Sequence, residues 1–350
     1  MPIQAATAVA HPNIALAKYW GKLAEGHNLP AVPSLSVTLA GMSTITTVTF
    51  DPTLGDDALE LGGTSIRDGD APLLPAGAGA LRRVSGLLDR VRQASGVAHR
   101  ARVVSRNDFP TASGLASSAS AFAALAVAAA AALGLTWSPA QLSDLARRSS
   151  VSSARSLFEG FVELPSGHPS SDPSAILSAA PVAPPDHLPL RIVVAVTHEG
   201  PKATGSTQGM LLTTQTSPYF PAWVADAPGL FARLKDALLR RDLEALGALA
   251  EVSALRMHAA AIAADPGLIY WTPATLLVIQ EVRALRARGT PAFFTIDAGP
   301  HVKVLTTPEH EAAVTQLLEQ IPGVLRTIAT RPGDGARTLP SPQDSSTAAP

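Results

Sequence analysis

A serine-rich segment between residues 107 and 120 carries the strongest chemical signal in the sequence. It reads Asn107-Asp-Phe-Pro-Thr-Ala-Ser-Gly-Leu-Ala-Ser-Ser-Ala-Ser120 and opens an alanine-rich stretch. Gly114 has no Cβ to keep an anion from the backbone, while Ser117 and Ser118 place hydroxyls beside the unpaired amides of a helix's first turn. The positive end of the helix dipole points to the same place. The segment therefore indicates a phosphate-binding loop with ATP as its ligand, although a capped, buried helix would carry similar residues.

A second group of polar residues lies in an apolar segment near the N-terminus, residues 11–22. Lys18, Tyr19 and Lys22 stand close to glycine there, among alanine, leucine and tryptophan. A lysine among apolar neighbours needs an anionic partner, so the segment is a candidate anion site. The alternative is a strand whose lysines reach out to water.

Serines and arginines crowd together between residues 147 and 156. Ser150, Ser152 and Arg155 combine hydroxyls with a guanidinium, a set that can hold the oxygens of a carboxylate or a phosphate. A polar turn that caps the next helix would explain the same residues equally well.

Two later segments each follow a predicted strand. Lys202 and Ser206 lie in a hydroxyl-rich stretch over residues 198–210, suited either to phosphate contact or to a plain connection. Asp297 follows the strand at residues 292–297 and precedes glycine, so it is either a turn residue or a catalytic base.

Composition limits the partners that these groups could serve. The chain has 350 residues, 46% of them hydrophobic and 16% charged, enough for two domains or one large one. A formal net charge of -1 provides no field for nucleic acid, and the absence of cysteine excludes disulfides and thiolate chemistry. The apolar run at residues 119–135 is expected to be a core helix and not a membrane span, and the N-terminus does not resemble a signal peptide. We therefore expect a cytoplasmic protein with a small-molecule partner.

Hydrophobic periodicity predicts mixed helices and strands along both halves, and hence an α+β fold. Four prolines within residues 181–189 place a domain boundary near residue 185, which gives domains over residues 1–185 and 186–331. The polar, proline-rich residues 332–350 are expected to be a disordered tail. The predicted strands are 34–39, 44–50, 101–105, 191–196, 292–297 and 302–305, and the predicted helices are 81–95, 119–135, 141–148, 220–239, 243–264 and 275–288.

Taken in order, these segments resemble the mevalonate diphosphate decarboxylase family of the GHMP small-molecule kinase superfamily. Several separate motifs in the family order, covering about residues 8 to 305, make the resemblance specific. The matching motifs are Ala17-Lys-Tyr-Trp-Gly-Lys22, the segment 107–119, Ala154-Arg-Ser-Leu-Phe158 with Gly160-Phe-Val162, Gly205-Ser-Thr-Gln-Gly-Met210 with Thr216-Ser-Pro218, and Asp297-Ala-Gly-Pro300.

The resemblance implies a two-domain GHMP kinase fold, each half a β-sheet packed with helices, with the active site in the cleft between them and usually a homodimer. It also implies an enzyme of isoprenoid biosynthesis that uses ATP and Mg²⁺ to decarboxylate mevalonate 5-diphosphate. In the family an aspartate takes the proton of the substrate's 3-hydroxyl as that hydroxyl attacks the γ-phosphate. Loss of phosphate and CO₂ then yields isopentenyl diphosphate and ADP.

Matching positions carry the family's roles onto this sequence. The catalytic groups implied are Asp297 as the base, Arg155 as the arginine that holds the substrate carboxylate and orients the aspartate, and Lys18 beside the reacting centre. The positions implied for binding of the acid substrate are Tyr19, Lys22, Ser150, Ser152 and Ser206. Those implied for nucleotide binding are Asn107, Gly114, Ser117, Ser118 and Lys202. No protein ligand for the metal is predicted.

The sequence also departs from the family pattern. Val151 replaces a glycine between the two serines and is expected to restrict the backbone that presents both hydroxyls. The other departures are Val32 and Pro33 in place of small polar residues, Glu159 in place of a glycine and His301 in place of an asparagine. These changes leave open whether the substrate carries one 5-phosphate group or two.

Three other functions compete with the decarboxylase. A decarboxylase of mevalonate 5-phosphate, or a kinase of the 3-hydroxyl, would use the same segments. Another GHMP kinase, for a sugar or homoserine, would explain the phosphate loop but not the Lys18 segment. A non-enzymatic binding module would need a lost catalytic group, and the motifs retain all three.

Overall fold

The structure, a computed structural model, describes residues 4–23, 28–66, 79–109, 117–168, 172, 175–200 and 203–340. The strands within these residues are β1 (Gln4–Ala10), β2 (Asn13–Ala17), β3 (Ser34–Thr38), β4 (Thr44–Asp51), β5 (Ala58–Leu61), β6 (Thr64–Ile66), β7 (Arg100–Asn107), β8 (Phe161–Leu164), β9 (Ala180–Ala183), β10 (Arg191–Val196), β11 (Phe293–Ile296), β12 (Val302–Thr306), β13 (Arg326–Thr330) and β14 (Arg337–Leu339). The helices are α1 (Ala80–Ser95), α2 (Ser117–Ala132), α3 (Pro139–Ser149), α4 (Ser206–Thr216), α5 (Phe220–Leu239), α6 (Leu243–Ile262), α7 (Pro273–Ala287) and α8 (Glu311–Glu319). This mixture confirms the predicted α+β class.

The first half of the chain forms two sheets. One is six-stranded, in the order β14-β1-β4-β7-β5-β6, and the other is four-stranded, in the order β2-β3-β8-β9. Helix α2 packs on β1 and β4, because alanine at most of its positions lets the helix approach the sheet closely. The apolar run at residues 119–135 is therefore a core helix, as predicted, and its first turn carries Ser117 and Ser118.

The second half forms one sheet, in the order β11-β12-β10-β13, between two helical layers. Helices α7 and α8 cover one face. Helices α5 and α6 lie on the other and share one apolar core with the sheet of β2, β3 and β8. Residues 181–183 of the proline-rich segment belong to β9, and the rest of the segment connects β9 to β10, but the core continues across it. This shared core fixes the end of β2 against β11, where the candidate site lies.

Helix α6 is long and apolar enough by itself to cross a bilayer. However, 61% of its most apolar window is buried inside the protein. Burial at that level is typical of a core helix, and α6 provides such a core between two sheets.

The chain returns to the first half after β13. Residues Arg337–Leu339 form β14 and pair with β1, Gly333 N donates to Thr38 O at 2.8 Å, and Ala40 N donates to Arg331 O at 2.8 Å. The prediction of disorder from residue 332 is therefore wrong for residues 332–340, and residues 341–350 lie outside the described part of the chain. Backbone hydrogen bonds hold this segment, and a polar, proline-rich composition gives no sign of them.

Helix α4 is a second difference from the sequence prediction. Its residues were expected in a loop, but Ser206–Thr216 is helical from Gly205 onwards. Its side chains show little amphipathic pattern, because the helix contacts the rest of the protein mainly through Gly209, Met210 and Thr213.

Candidate active site

Asp297 follows β11, and two lysines hold its two carboxylate oxygens. Lys18 Nζ lies 2.6 Å from Oδ1, and Lys303 Nζ lies 3.0 Å from Oδ2. Lys18 comes from the end of β2 and also donates to Ala15 O at 2.8 Å. The lysine side chains are 1% and 2% exposed and the aspartate side chain 26%. The carboxylate is thus the accessible member of a cluster assembled from both halves of the chain.

Electrostatics keep the carboxylate ionised. Burial alone would raise the pKa of Asp297, but the charges of Lys18 and Lys303 outweigh that effect and hold the pKa well below its usual range. Burial lowers the pKa of Lys18 to about 8, with Asp297 opposing the shift and Lys303 adding to it. At neutral pH the site therefore contains an anionic base beside cations.

Arg155 lies in a 3₁₀ segment, Val151–Leu157, and is 2% exposed. Its Nη1 donates to Ser34 Oγ at 2.8 Å, and Nε and Nη2 lie 3.4 and 3.3 Å from Asn13 Oδ1. Burial lowers the pKa of Arg155 to about 10, with the negative charge of Asp297 opposing the shift. Arg155 thus stays charged at neutral pH. Its interaction with Asp297 is the attraction between opposite charges.

Tyr19 follows Lys18 directly and has a buried hydroxyl with no hydrogen-bond partner among the described residues. Burial raises the pKa of this hydroxyl, with Arg155 and Arg147 opposing the shift, so it remains a proton donor. A buried hydroxyl without a partner costs about 1–3 kcal/mol, and a ligand oxygen would remove that cost. Tyr19 is therefore placed to bind an anion beside Arg155.

Lys22 connects the same segment to the end of α3. Its Nζ donates to Asn28 Oδ1 at 2.7 Å, while Asn28 Nδ2 donates to Arg148 O at 2.6 Å. Arg147 Nη1 donates to Asn28 O at 2.9 Å. Burial also lowers the pKa of Lys22. The predicted lysine and the arginine-serine segment are therefore neighbours in space.

Ser150 and Ser152 lie at the start of the 3₁₀ segment, with their hydroxyls 3.4 Å apart. Val151 between them is 3% exposed and packs in an apolar cluster that includes Ala154 and Val162. Its φ is not positive, so this backbone conformation does not require a glycine. Val151 is therefore accommodated without a strained conformation, with its side chain in the core and the serines half-buried, and its restriction of the backbone that presents the hydroxyls stays a prediction.

The serine-rich segment contributes the first turn of α2. Asn107, at the end of β7, accepts from Thr44 Oγ1 at 2.7 Å, and Thr44 Oγ1 lies 2.6 Å from Ser120 Oγ. Ser118 is exposed, Ser117 is half-buried, and both belong to this first turn. Gly114 lies outside the described residues.

A hydrogen bond joins the first turn of α2 to the arginine-serine segment. Ser153 Oγ donates to Ser118 O at 3.0 Å, which places the first turn of α2 beside the 3₁₀ segment that carries Arg155. The two predicted anion sites are thus adjacent.

Ser206 is the half-buried first residue of α4. The helix packs on Trp20 through Gly209, where an added Cβ would lie 2.3 Å from Tyr270 Oη and 3.2 Å from the Trp20 ring. This close packing brings the start of α4 to the segment that carries Lys18. Lys202 lies outside the described residues.

The described residues contain no group of three or more histidine, aspartate or glutamate side chains able to hold a metal ion. Serine hydroxyls such as those of Ser117 and Ser118, together with phosphate oxygens, are ligands of the kind that magnesium prefers.

Sequence reasoning missed three residues of the cluster: Lys303, Asn13 and Ser34. Asn13 and Ser34 are separated from Arg155 by more than a hundred residues, so no local pattern reveals them. Lys303 could have been identified from the sequence, because a lysine within the apolar run Val302–Leu305 needs a buried partner.

Family models match both halves of the chain. Residues 10–175 match the diphosphomevalonate decarboxylase-like N-terminal domain, and residues 192–340 match the mevalonate 5-diphosphate decarboxylase C-terminal domain. The gap between the two matches contains the predicted boundary near residue 185.

Individual proteins agree with these matches. The diphosphomevalonate decarboxylase of Candida albicans is 34% identical over 323 residues, covering 89% of this chain and 87% of that protein. The phosphomevalonate decarboxylase of Haloferax volcanii is 35% identical over 306 residues, covering 87% and 89%. A solved structure of MDDEF in complex with MVAPP, AMPPCP and magnesium has a TM-score of 0.87 at 36% identity, covering 97% of this chain and 100% of that chain. The fold is the predicted two-domain GHMP kinase fold, and the chain belongs to the diphosphomevalonate decarboxylase family.

Proposed function

We propose that this protein catalyses the ATP-dependent decarboxylation of mevalonate 5-diphosphate in the mevalonate pathway of isoprenoid biosynthesis. The products are isopentenyl diphosphate, ADP, phosphate and CO₂. The observation that carries the proposal is the contact between Lys18 and Asp297 at 2.6 Å, with Arg155 in the same electrostatic cluster, in a chain of this family.

Asp297 is proposed to accept the proton of the substrate's 3-hydroxyl. The hydroxyl oxygen bonds to the γ-phosphorus of ATP as the bond from that phosphorus to ADP breaks. Because the low pKa makes Asp297 a weak base, it takes the proton while the new bond to phosphorus forms, when the hydroxyl has become acidic. Its placement 2.6 Å from Lys18 then matters more than its basicity.

Arg155 and Lys18 are proposed to assist the second half of the reaction, in which phosphate and CO₂ are lost. The bond from carbon 3 to the phosphate oxygen breaks as the bond to the carboxylate carbon breaks, and the released electron pair forms the new double bond. Arg155 and Lys18 are charged where the substrate carboxylate and the departing phosphate carry negative charge. Both are held by buried contacts before substrate arrives, so little reorganisation accompanies the reaction.

The remaining site residues predicted from the sequence are proposed to bind the phosphate chains. Tyr19, Lys22, Ser150, Ser152 and Ser206 would contact the diphosphate and 3-oxygen of the acid, and Asn107, Gly114, Ser117, Ser118 and Lys202 would contact the nucleotide. Magnesium, when bound, would neutralise charge on the ATP phosphates. The complex of MDDEF with MVAPP, AMPPCP and magnesium supports the choice of ligands, an ATP-like nucleotide with magnesium.

A decarboxylase of mevalonate 5-phosphate is the second candidate. The observation in its favour is the Haloferax volcanii phosphomevalonate decarboxylase, which is as similar to this chain as the diphosphate enzymes are. The conformation of Val151 does not indicate which of the two substrates is preferred, because its side chain lies in the core.

One experiment tests both. Purified protein is incubated with ATP and magnesium and with mevalonate, its 5-phosphate or its 5-diphosphate, and CO₂ and ADP are measured together, with Asp297→Asn as the control. Equal release of CO₂ and ADP from the diphosphate, with the highest kcat/KM, is the expected result. ADP without CO₂ would identify a 3-kinase, and preference for the monophosphate would identify the second candidate.

A homodimer and a cytoplasmic location also remain proposals. Both are expected from the resemblance and the composition. Light scattering after size-exclusion chromatography tests the first, and cell fractionation tests the second.

A further inference from the structure

Lys303 is a buried cation that the family motifs did not identify. It lies on β12, opposite Thr295 of β11 and Val194 of β10, in an otherwise apolar strand. Its side chain is 2% exposed and its ammonium lies 3.0 Å from Asp297 Oδ2. Burying a lysine costs free energy that only a specific partner offsets. Its described partners are the carboxylate of Asp297, the proposed base, and the carbonyl oxygen of His301 at 3.5 Å.

Two lysines thus hold one carboxylate from two elements. Lys18 reaches Oδ1 from the end of β2, and Lys303 reaches Oδ2 from the middle of β12. The last torsion of an aspartate side chain is broad, so a carboxylate held at one oxygen can still rotate. Contact at both oxygens restrains its plane, with a hydrogen bond from Lys18 at Oδ1 and an ion pair with Lys303, without hydrogen-bond geometry, at Oδ2.

Substrate binding must disturb one of these contacts. The 3-hydroxyl has to reach an aspartate oxygen, and Lys18 has to interact with the arriving negative charge, so the contact at Oδ1 is the one exchanged. The contact at Oδ2 lies against the core and can persist throughout. Lys303 therefore has a task that Lys18 cannot perform.

We propose that Lys303 is a positioning residue that holds Asp297 Oδ2, so that the carboxylate keeps one orientation while Lys18 and the substrate exchange contacts at Oδ1. The kinetic part of this inference rests on the proposed function. The contact between Lys303 and Asp297 Oδ2 is itself present in the protein without substrate.

The charged groups around Asp297 come from four elements. Lys18 follows β2, Lys303 lies on β12, Arg155 lies in the 3₁₀ segment, and His258 on α6 is fully buried. Burial, assisted by the charge of Lys18, lowers the pKa of His258 to about 3, so this histidine is neutral above that pH. Removal of Lys303 therefore takes away one of three neighbouring positive charges.

Kinetics provide the first test. Lys303→Met is expected to lower kcat about 10- to 100-fold while the KM values for ATP and the acid stay within about threefold, since misorientation of a catalytic group affects turnover more than binding. The matched control is Lys235→Met, which removes a lysine paired with Glu163 at 2.7 Å and should leave kcat unchanged. Unchanged kcat in a folded Lys303→Met variant overturns the proposal.

Carbon-13 NMR of aspartate carboxyl groups provides a second test without substrate. Asp297→Asn assigns the resonance, and Lys303→Met should move its titration to higher pH because a neighbouring positive charge is lost. An unchanged titration, or a rise in both KM values that accounts for the lost activity, means that Lys303 only fills space. If Lys303→Met does not fold, Lys303→Gln provides both measurements. A wild-type protein that releases no CO₂ contradicts the proposed function, while the NMR result still decides the role of Lys303.

Discussion

The reacting centre and the phosphate-binding surface of this site are built in opposite ways. Around Asp297, the side chains of Lys18, Lys303 and Arg155 are at most 2% exposed. Lys18 and Arg155 contact residues distant in the chain, and Lys303 contacts Asp297 across the pairing of β11 with β12. The serine side of the site is open: Ser118 is exposed, and within the described part of the chain the hydroxyls of Ser150 and Ser152 contact each other at 3.4 Å and no other side chain.

The difference separates two tasks. Groups that act on the transition state are fixed in advance, because movement during the reaction would cost rate. Groups that bind phosphate keep access to solvent and gain their partners from the ligand. Changes in the first region should therefore lower turnover, and changes in the second should alter affinity.

The largest effect is expected from Asp297→Asn. The amide preserves the shape but cannot accept the hydroxyl proton, so kcat should fall about 10²–10⁴-fold while ATP and acid affinities stay nearly constant. Steady-state kinetics and isothermal titration with both ligands measure the two quantities. A variant that keeps more than about half of the wild-type kcat would remove Asp297 from the mechanism.

The pH dependence tests the cationic side of the same region. Lys18 has a pKa of about 8, below the ordinary 10.5, so it is charged below pH 8 and loses its charge as the pH rises through that value. If the charged form is the active one, kcat/KM should fall about tenfold per pH unit above that pKa. Lys18→Arg should remove this alkaline decline, even at a lower absolute rate, because arginine stays charged. A profile that is flat to pH 10 in the wild type would contradict the assignment.

Ser118→Ala tests the open region. Loss of one hydroxyl from the first turn of α2 should weaken ATP about fivefold, equivalent to about 1 kcal/mol, and leave the acid's affinity unchanged. Ser95→Ala, in helix α1, is the control. Weaker binding of the acid alone would mean that the segment holds the other ligand.

Val151→Gly should have the smallest effect on catalysis. The valine side chain packs in the core, so the ratio of kcat/KM for the 5-diphosphate and the 5-monophosphate should change less than about threefold. Thermal or urea unfolding should show a loss of about 2–3 kcal/mol from reduced burial and added backbone freedom. A tenfold change in the ratio of the two kcat/KM values would mean that a glycine at this position affects the choice of substrate.

The sequence singled out the serines of the open region as candidates and identified three of the four charged residues of the buried one. Lys18, Arg155 and Asp297 stand in motifs, and the prediction that they share one site is supported by the Lys18 contact with Asp297. Lys303 stands in none of these motifs, because its position beside Asp297 results from the pairing of β12 with β11.

The C-terminal strand shows the same limit. The pairing of β14 with β1 joins residues from opposite ends of the chain through backbone atoms alone, and composition carries no information about such contacts. Six of the eight described helices and six of the fourteen described strands were predicted, because their apolar periodicity is local.

The return of the chain to β1 also bears on synthesis in the cell. The ribosome makes β1 among the first residues, but its partner β14 is among the last described ones. Until residues 337–339 emerge, β1 presents an unpaired edge to other nascent chains, and such edges promote aggregation. A truncation just before β14, or a fusion partner inserted there, would leave this edge of β1 permanently exposed.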